Sequence, residues 1–394
     1  MIHHLLRIIE IVALLGAIAS MAYYGLCLWS AVDFLRQRKA AGEGARPTWF
    51  LPVSILKPLK GTDPEMYESL RGHCLQDYPE YEIIFGVNDP TDPSRHLVER
   101  LKSEFPQLSI RWMVCAKNLG ANIKVSNLTQ MLVEAKYDRV LVNDSDIRVP
   151  LDYLRRVMAP LADPQVGLVT CLYRGVPGGT LGSRLESIGI STDFSAGVLA
   201  ARTLEGGIHF GLGSTLAFRR SDLAAIGGFE ALVDYLADDY EIGRRMAKRG
   251  LRVRLSDVVV ETYLPAYTLR QFVDHQLRWG RTVRDSRRWG YLGLVLTFGV
   301  PWALLSGLLS LSLSRGILAA WAPLVAVIGL RVAVAMLVGW SVVRDRQLLA
   351  LLPLLPLRDV AALLVWIASL AGHTVVWRGD SFRVKNGKLA RIRG

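Results

Sequence analysis

The chain has 394 residues, 51% of them apolar, and a formal net charge of +12. Its positive mean hydropathy argues against a purely soluble protein and for membrane segments. No basic stretch interleaves with aromatics as nucleic-acid readers require; the basic excess fits cytoplasmic flanks near anionic lipid, or scattered solvated Lys and Arg. Cys27, Cys74, Cys115 and Cys171 form no C-x-x-C pair and no His lies at zinc spacing, so reduced, buried thiols are expected.

Residues 8–32 are apolar except for Glu10, long enough to cross a bilayer. A signal peptide is the alternative, but only Arg7 precedes the run and no A-x-A site follows. Arg36, Arg38, Lys39 and Arg46 come directly after it and place the next domain in the cytoplasm. From Pro52 to about Arg281 short apolar runs alternate with amphipathic stretches. Strands are predicted at 53–56, 81–87, 109–114, 139–143 and 166–172, with helices opening at Asp63-Pro64 and Asp92-Pro93. This alternation predicts βαβ units and a mainly parallel sheet, in which ligands bind outside the strands' carboxyl ends.

From Tyr291 the chain is apolar again. Residues 292–313, 317–343 and 360–377 are candidate spans, and 347–357, containing Pro353 and Pro356, is expected to be re-entrant or interfacial. Three C-terminal spans would leave the tail outside, whereas Arg378, Arg383, Lys385, Lys388, Arg391 and Arg393 favour the inside. A short extra passage by the Pro-containing segment would restore parity.

Several segments carry candidate chemistry. Asn143-Asp144-Ser145-Asp146 follows an apolar run; two carboxylates one residue apart there can share a hard divalent cation that neutralises a diphosphate, or simply form a turn. Asn88-Asp89-Pro90-Thr91-Asp92 offers carboxylates to a nucleoside or the metal, and Asp92 also suits a helix cap. Lys57 and Lys60 either meet phosphates or are surface lysines. Asp238-Asp239-Tyr240-Glu241 pairs carboxylates that raise one another's pKa, giving a general base, or places acids at a helix N-terminus. His275-Gln276-Leu277-Arg278-Trp279 joins a guanidinium suited to phosphate with an indole suited to a sugar, or anchors a helix at the interface together with Arg281, Arg284, Arg287 and Arg288. Gly206, Gly207, Gly211 and Gly213 mark either a close backbone approach to a ligand or a turn before a strand at 215–218.

The order of these segments is more specific than any one of them. Lys57-Pro58-Leu59-Lys60-Gly61, the Asp89 to Asp92 segment, Asp144-Ser145, Ile147-Arg148-Val149, Asp239-Tyr240 and Arg278-Trp279 resemble the family 2-like glycosyltransferases of the GT-A fold, and more narrowly the ceramide glucosyltransferase family. Leu181-Gly182-Ser183-Arg184-Leu185-Glu186, Tyr235-Leu236-Ala237-Asp238-Asp239-Tyr240 and His275 to Arg284 resemble a bacterial branch associated with hopanoid biosynthesis. The resemblance covers nearly the whole chain. It implies an α/β, Rossmann-like GT-A domain at 50–281, an N-terminal transmembrane helix at 1–35, a C-terminal membrane region at 282–377 and a basic tail at 378–394.

The same resemblance implies roles. Asp89 or Asp92 contacts the uridine of a UDP-sugar, with Lys57 and His275 also on the donor. Asp144 and Asp146 hold Mg2+ or Mn2+, Asp239 is the base, and Arg278 steadies the leaving phosphate. Trp279 and Asp193 lie on the acceptor side. Two positions depart from the pattern: His275 replaces Gln or Arg, and Asp193 replaces the His of ceramide enzymes. The implied activity is inverting transfer of a hexose or N-acetylhexosamine to a membrane lipid hydroxyl, foremost N-acetylglucosamine to a hopanoid polyol of the bacteriohopanetetrol type. Its setting is a bacterial inner membrane, with the catalytic domain cytoplasmic. The alternative acceptor is ceramide, and the rival of another class is a non-catalytic membrane scaffold. A processive polysaccharide synthase would need more spans.

Overall fold

A computed structural model describes residues 1–42, 50–313, 316–377 and 380–392; Arg46, Arg378 and Arg393 lie outside the described residues. The chain divides into two compact units. One comprises Met1–Ala41, Gly179–Thr203 and Tyr267–Val376, the other Gly42–Gly178, Leu204–Ala266 and Trp377–Gly394.

The second unit is built on a sheet of strands β1 Val53–Pro58, β2 Tyr81–Val87, β3 Ser109–Val114, β4 Arg139–Val142, β5 Ile147–Arg148, β6 Val166–Val176, β7 Leu216–Arg219 and β8 Arg252–Tyr263, in the order β3-β2-β1-β4-β7-β6-β8-β5. β1 is buried at every position, as a strand covered on both faces must be, which is why it reads as a nearly continuous apolar run. β3, β2, β1 and β4 run parallel, with Leu56 opposite Val142 and Pro58 opposite Gly86. Their carboxyl ends therefore lie side by side. β7 runs antiparallel to both β4 and β6, and β5 antiparallel to β8, so the sheet is mixed. Periodicity reports a strand but not its direction, so this half of the topology was not predictable from it. The reversal places Leu216 opposite Val142 and brings the glycine loop before β7 to the end of β4.

Two predicted helix starts differ. The helix after β1 begins at Met66 and the one after β2 at Arg95, with Ser94 in the cap position. Asp63 instead accepts a hydrogen bond from Ser145 Oγ. Asp92 accepts from Ser94 N, Ser94 Oγ and Gly61 N, tying the loop after β2 to the loop after β1.

The first unit is helical. Ile2–Ala40, Ala320–Val342 and Leu348–Leu370 are long and apolar enough to cross a membrane, and Arg288–Thr297 with Gly299–Ser312 forms a further pair bent by 48°. The predicted third span at 360–377 does not form. Its helix ends at Leu370, Thr374–Trp377 is a strand (β9), and the Pro-containing segment belongs to the same helical run. Pro353 and Pro356 sit in first turns of its pieces, where no backbone N–H is needed. Along the first helix, Ser310 Oγ donates to Glu10 Oε1 (2.7 Å), Ser20 Oγ to Leu296 O (2.7 Å), and the Arg38 guanidinium to Ser341 O and Val342 O (3.1 and 3.0 Å).

Candidate active site

β4 ends in a fully buried amide. Asn143 Nδ2 donates to Tyr153 OH (2.8 Å) and Ser214 O (2.6 Å), and its Oδ1 meets His73 Nε2 at 3.1 Å. Burial holds His73 well below its ordinary pKa, so the ring is neutral and suits this uncharged network. The amide locks the end of β4 to the start of β7, and the two acidic segments meet there. A Cβ placed on Gly213 would lie 2.9 Å from Asp144 Oδ2 and 3.3 Å from Asp239 Oδ2. The two carboxylates thus face a common space that glycine leaves open. Gly211 and Gly243 allow the approach: Gly211 N donates to Asp239 O (3.2 Å), and a Cβ on Gly243 would strike the Gly211 backbone at 2.3 Å.

Two lysines organise the acids. Lys57, on β1, is fully buried, and its ammonium donates to Asp144 O at 2.7 Å. Burial pulls its pKa down to about 7 against the opposing pull of Asp146, Asp144 and Asp63. This burial rules out a surface lysine, and the ammonium braces the Asp144 loop. Lys124 bridges Asp144 Oδ1 (2.8 Å) and Asp238 Oδ2 (3.3 Å). Burial disfavours its charge, but Asp144, Asp238 and Asp239 outweigh that and raise its pKa. Sequence reasoning missed Lys124, since a lysine in the first turn of a helix carries no signal of its own.

The remaining acids follow from these positions. Asp146 accepts from Thr262 Oγ1, and burial with Asp144 nearby pushes its carboxyl up to about 6. Asp239 is likewise raised to about 6, by burial and then by Asp238. Asp89 is exposed and accepts from Thr91 N and Oγ1 (2.8 and 2.7 Å).

Among the described residues, no group of three or more His, Cys, Asp and Glu side chains is arranged to enclose a metal. The donor set nonetheless fits Mg2+ or Mn2+. Asp63, Asp144 and Asp146 act on Lys57, and Asp144, Asp238 and Asp239 on Lys124, so five carboxylates gather around two lysines, and magnesium sites typically use one or two carboxylates with substrate phosphates completing the shell.

His275, Arg278, Trp279 and Asp193 belong to the helical unit. His275, Arg278 and Trp279 sit on the helix Leu269–Ser286, opened by a Thr268–Gln271 capping box. The His275 ring stacks on Tyr267 (5.5 Å) and lies 5.4 Å from Trp279, and its Nδ1 is 3.3 Å from Glu186 Oε1. Trp279 also meets Phe194 at 5.9 Å. Asp193, in a π-turn at Ile190–Phe194, pairs with Arg331 and, at 3.4 Å, with Arg358. Arg331 also holds Asp359 at 3.1 Å, and its side chain is only 4% exposed. All four cysteines are free and buried, as expected.

Residues 12–390 match the family model described as Glycosyl transferase family 21. The chain belongs to that family. It is 25% identical over 228 residues to Ceramide glucosyltransferase 3 of Caenorhabditis elegans, covering 58% of this chain and 49% of that protein. It is 25% identical over 227 residues to Beta-monoglucosyldiacylglycerol synthase of Synechocystis, covering 55% of this chain and 46% of that one. The chain thus spans about half the length of these curated relatives. Among solved structures, a mannosyltransferase of Pyrobaculum calidifontis, crystallised with GDP-Man and Mn2+, superposes with a TM-score of 0.51 at 20% identity, covering 90% of this chain and 99% of that one. This likeness places the family 21 chain in the GT-A fold, with long apolar helices on either side of the catalytic unit in sequence.

Proposed function

We propose that this family 21 chain transfers a hexosyl group from a UDP-sugar to a hydroxyl of a membrane lipid, with inversion at the anomeric carbon. The observation that carries it is the facing of Asp144 and Asp239 across Gly213. One acid belongs to a D-x-D at a strand's carboxyl end, the other opens a helix, and both border one space. Asp239 accepts the proton of the lipid hydroxyl, whose oxygen attacks the anomeric carbon; the bond to UDP breaks and its electron pair leaves with the phosphate. An aspartate raised to about 6 suits this, being ionised at neutral pH yet more basic than an exposed carboxylate. Asp144 and Asp146 would hold Mg2+ or Mn2+, which when bound neutralises charge on the diphosphate.

Asp89 or Asp92 takes the uridine side, Lys57 supports the donor through the Asp144 loop, and Arg278 and His275 serve the diphosphate. Trp279 and Asp193 serve the acceptor. Of the acceptors considered, relatives named as ceramide glucosyltransferases support ceramide better than a hopanoid polyol. The chain acts in a membrane, and by the distribution of basic residues its catalytic unit is cytoplasmic, in a bacterial inner membrane. The test incubates the purified chain with UDP-glucose, UDP-galactose or UDP-N-acetylglucosamine and Mn2+, offering ceramide, diacylglycerol and a hopanoid polyol, and reads lipid products by mass spectrometry. Glucosylated ceramide is expected. Product on the polyol alone would move the acceptor to the hopanoid, and UDP binding without any glycolipid would favour the scaffold.

A further inference from the structure

The acidic turn that carries Asp239 follows a segment, 233–236, without regular structure, yet the backbone of every residue in it is hydrogen-bonded. On one side stands the start of the helix Ile123–Glu134. Asn122 N donates to Val233 O (2.7 Å), Asn122 Nδ2 to Tyr235 O (2.7 Å), and Ala121 N to Asp234 Oδ1 (2.9 Å). Asn122 also caps that helix by accepting from Val125 N, and Lys124 reaches Asp144 and Asp238 from its first turn.

On the other side stands a hairpin from the far end of the chain, beyond all the apolar helices. Strands Asp380–Lys385 (β10) and Lys388–Arg391 (β11) are joined by Asn386 and Gly387, with φ of 53° and 76°. Positive φ at both loop residues is the signature of the tight I′ turn that matches strand twist. The hairpin's edge pairs with the segment as an added strand: Leu389 N donates to Asp234 O (2.7 Å), Leu236 N to Gly387 O (3.1 Å), and Tyr235 bridges Lys388. The Tyr235 ring lies between Lys388 Nζ (5.4 Å) and Arg245 (5.1 Å), close against Gly387. Phe382, Val384 and Leu389 are buried, which seats the hairpin as part of the catalytic unit.

We infer that the C-terminal hairpin is a positioning element for the transfer reaction: it and Asn122 clamp residues 233–236 from both sides and so fix where the following acidic turn presents Asp239. The inference rests on the assignment of Asp239 as base. Small displacements of a reacting group are costly in rate, so the clamp matters to turnover more than to donor binding.

Leu389→Pro in the full chain removes the N–H that Asp234 O accepts, and Leu389→Val keeps it. For Leu389→Pro, kcat is expected to fall about tenfold or more, with donor KM and Kd for UDP within about twofold; Leu389→Val stays near the parent. Amides 236–240 should exchange with deuterium faster in Leu389→Pro only. If that variant does not fold, Asn386→Ala with Gly387→Ala strains the turn and carries the same expectations. Undiminished kcat, or donor affinity falling as far as kcat, overturns the inference. An unmodified chain that glycosylates no lipid overturns the proposed function instead, and unchanged exchange at 236–240 then still overturns the clamp.

Discussion

At the scale of single residues, the chemistry turns on what surrounds one carboxylate. Asp239 is raised by burial and by Asp238 and Asp144, while Lys124 and the Tyr240 N–H pull it down; the balance lies at about 6. A base must be unprotonated, so transfer should hold above that pH and fall as pH drops through it, about tenfold per unit below. A profile of kcat/KM against pH checks this, and a flat profile down to pH 4 would remove the base role. Asp239→Asn should cost roughly 10²- to 10⁴-fold in turnover while UDP binding persists. Gly213→Ala makes a sharper probe of the shared space, because its methyl would stand between Asp144 and Asp239. Both contacts are ends of rotatable carboxylates, so stability should change by less than ~1 kcal/mol. Activity should fall about tenfold or more. A variant of full activity would show that the space between the acids is not used.

At the scale of elements, the helical unit is held by charges in an apolar setting. Arg331 pairs with Asp193 and Asp359, and Arg358 approaches Asp193. Arg331→Met leaves Asp359 without its hydrogen-bonded partner and Asp193 with Arg358 alone, and should cost ~3–5 kcal/mol. Adding Asp359→Leu should recover part of that loss, as thermal unfolding in detergent would show. A double variant less stable than the single one would contradict the pairing. This network also marks a limit of sequence reading. Arg358 and Asp359 are neighbours in sequence, but their partners arrive from positions 193 and 331, which no local pattern links. Strands 81–87 and 109–114 match their expected bounds, the first an apolar run that ends at Asn88, the second rich in β-branched and aromatic residues with Pro106 just before it. Asp63 misled because a capping rule is local, whereas its carboxylate accepts from Ser145 across the sheet ends; Asp92 makes the local bonds, to Ser94 N and Oγ, and adds Gly61 N from the loop after β1. The D-x-D and D-D pairs were legible from their place after a strand and before a helix. Their convergence at Gly213 depended on a strand direction that periodicity does not encode.

At the scale of the whole molecule, the bonds along the first helix act as depth markers. Glu10, near one end, touches Ser310, and Arg38, at the end that leads into the catalytic unit, holds Ser341 and Val342. The bent pair therefore runs from the middle of the first helix toward its amino end, and Ala320–Val342 runs back to its carboxyl end. Leu348–Leu370 follows, long and apolar enough to cross. Since every native thiol is buried, single introduced cysteines report cleanly. An impermeant maleimide should label Arg346→Cys from the face where the first helix ends and Gly316→Cys from the opposite one; labelling of both from one face would contradict the pairing of these helices. Because the bonds of Glu10 and Arg38 sit near opposite ends of one helix, a slide of a single turn along its axis would break both, so protein contacts as well as bilayer thickness set its depth.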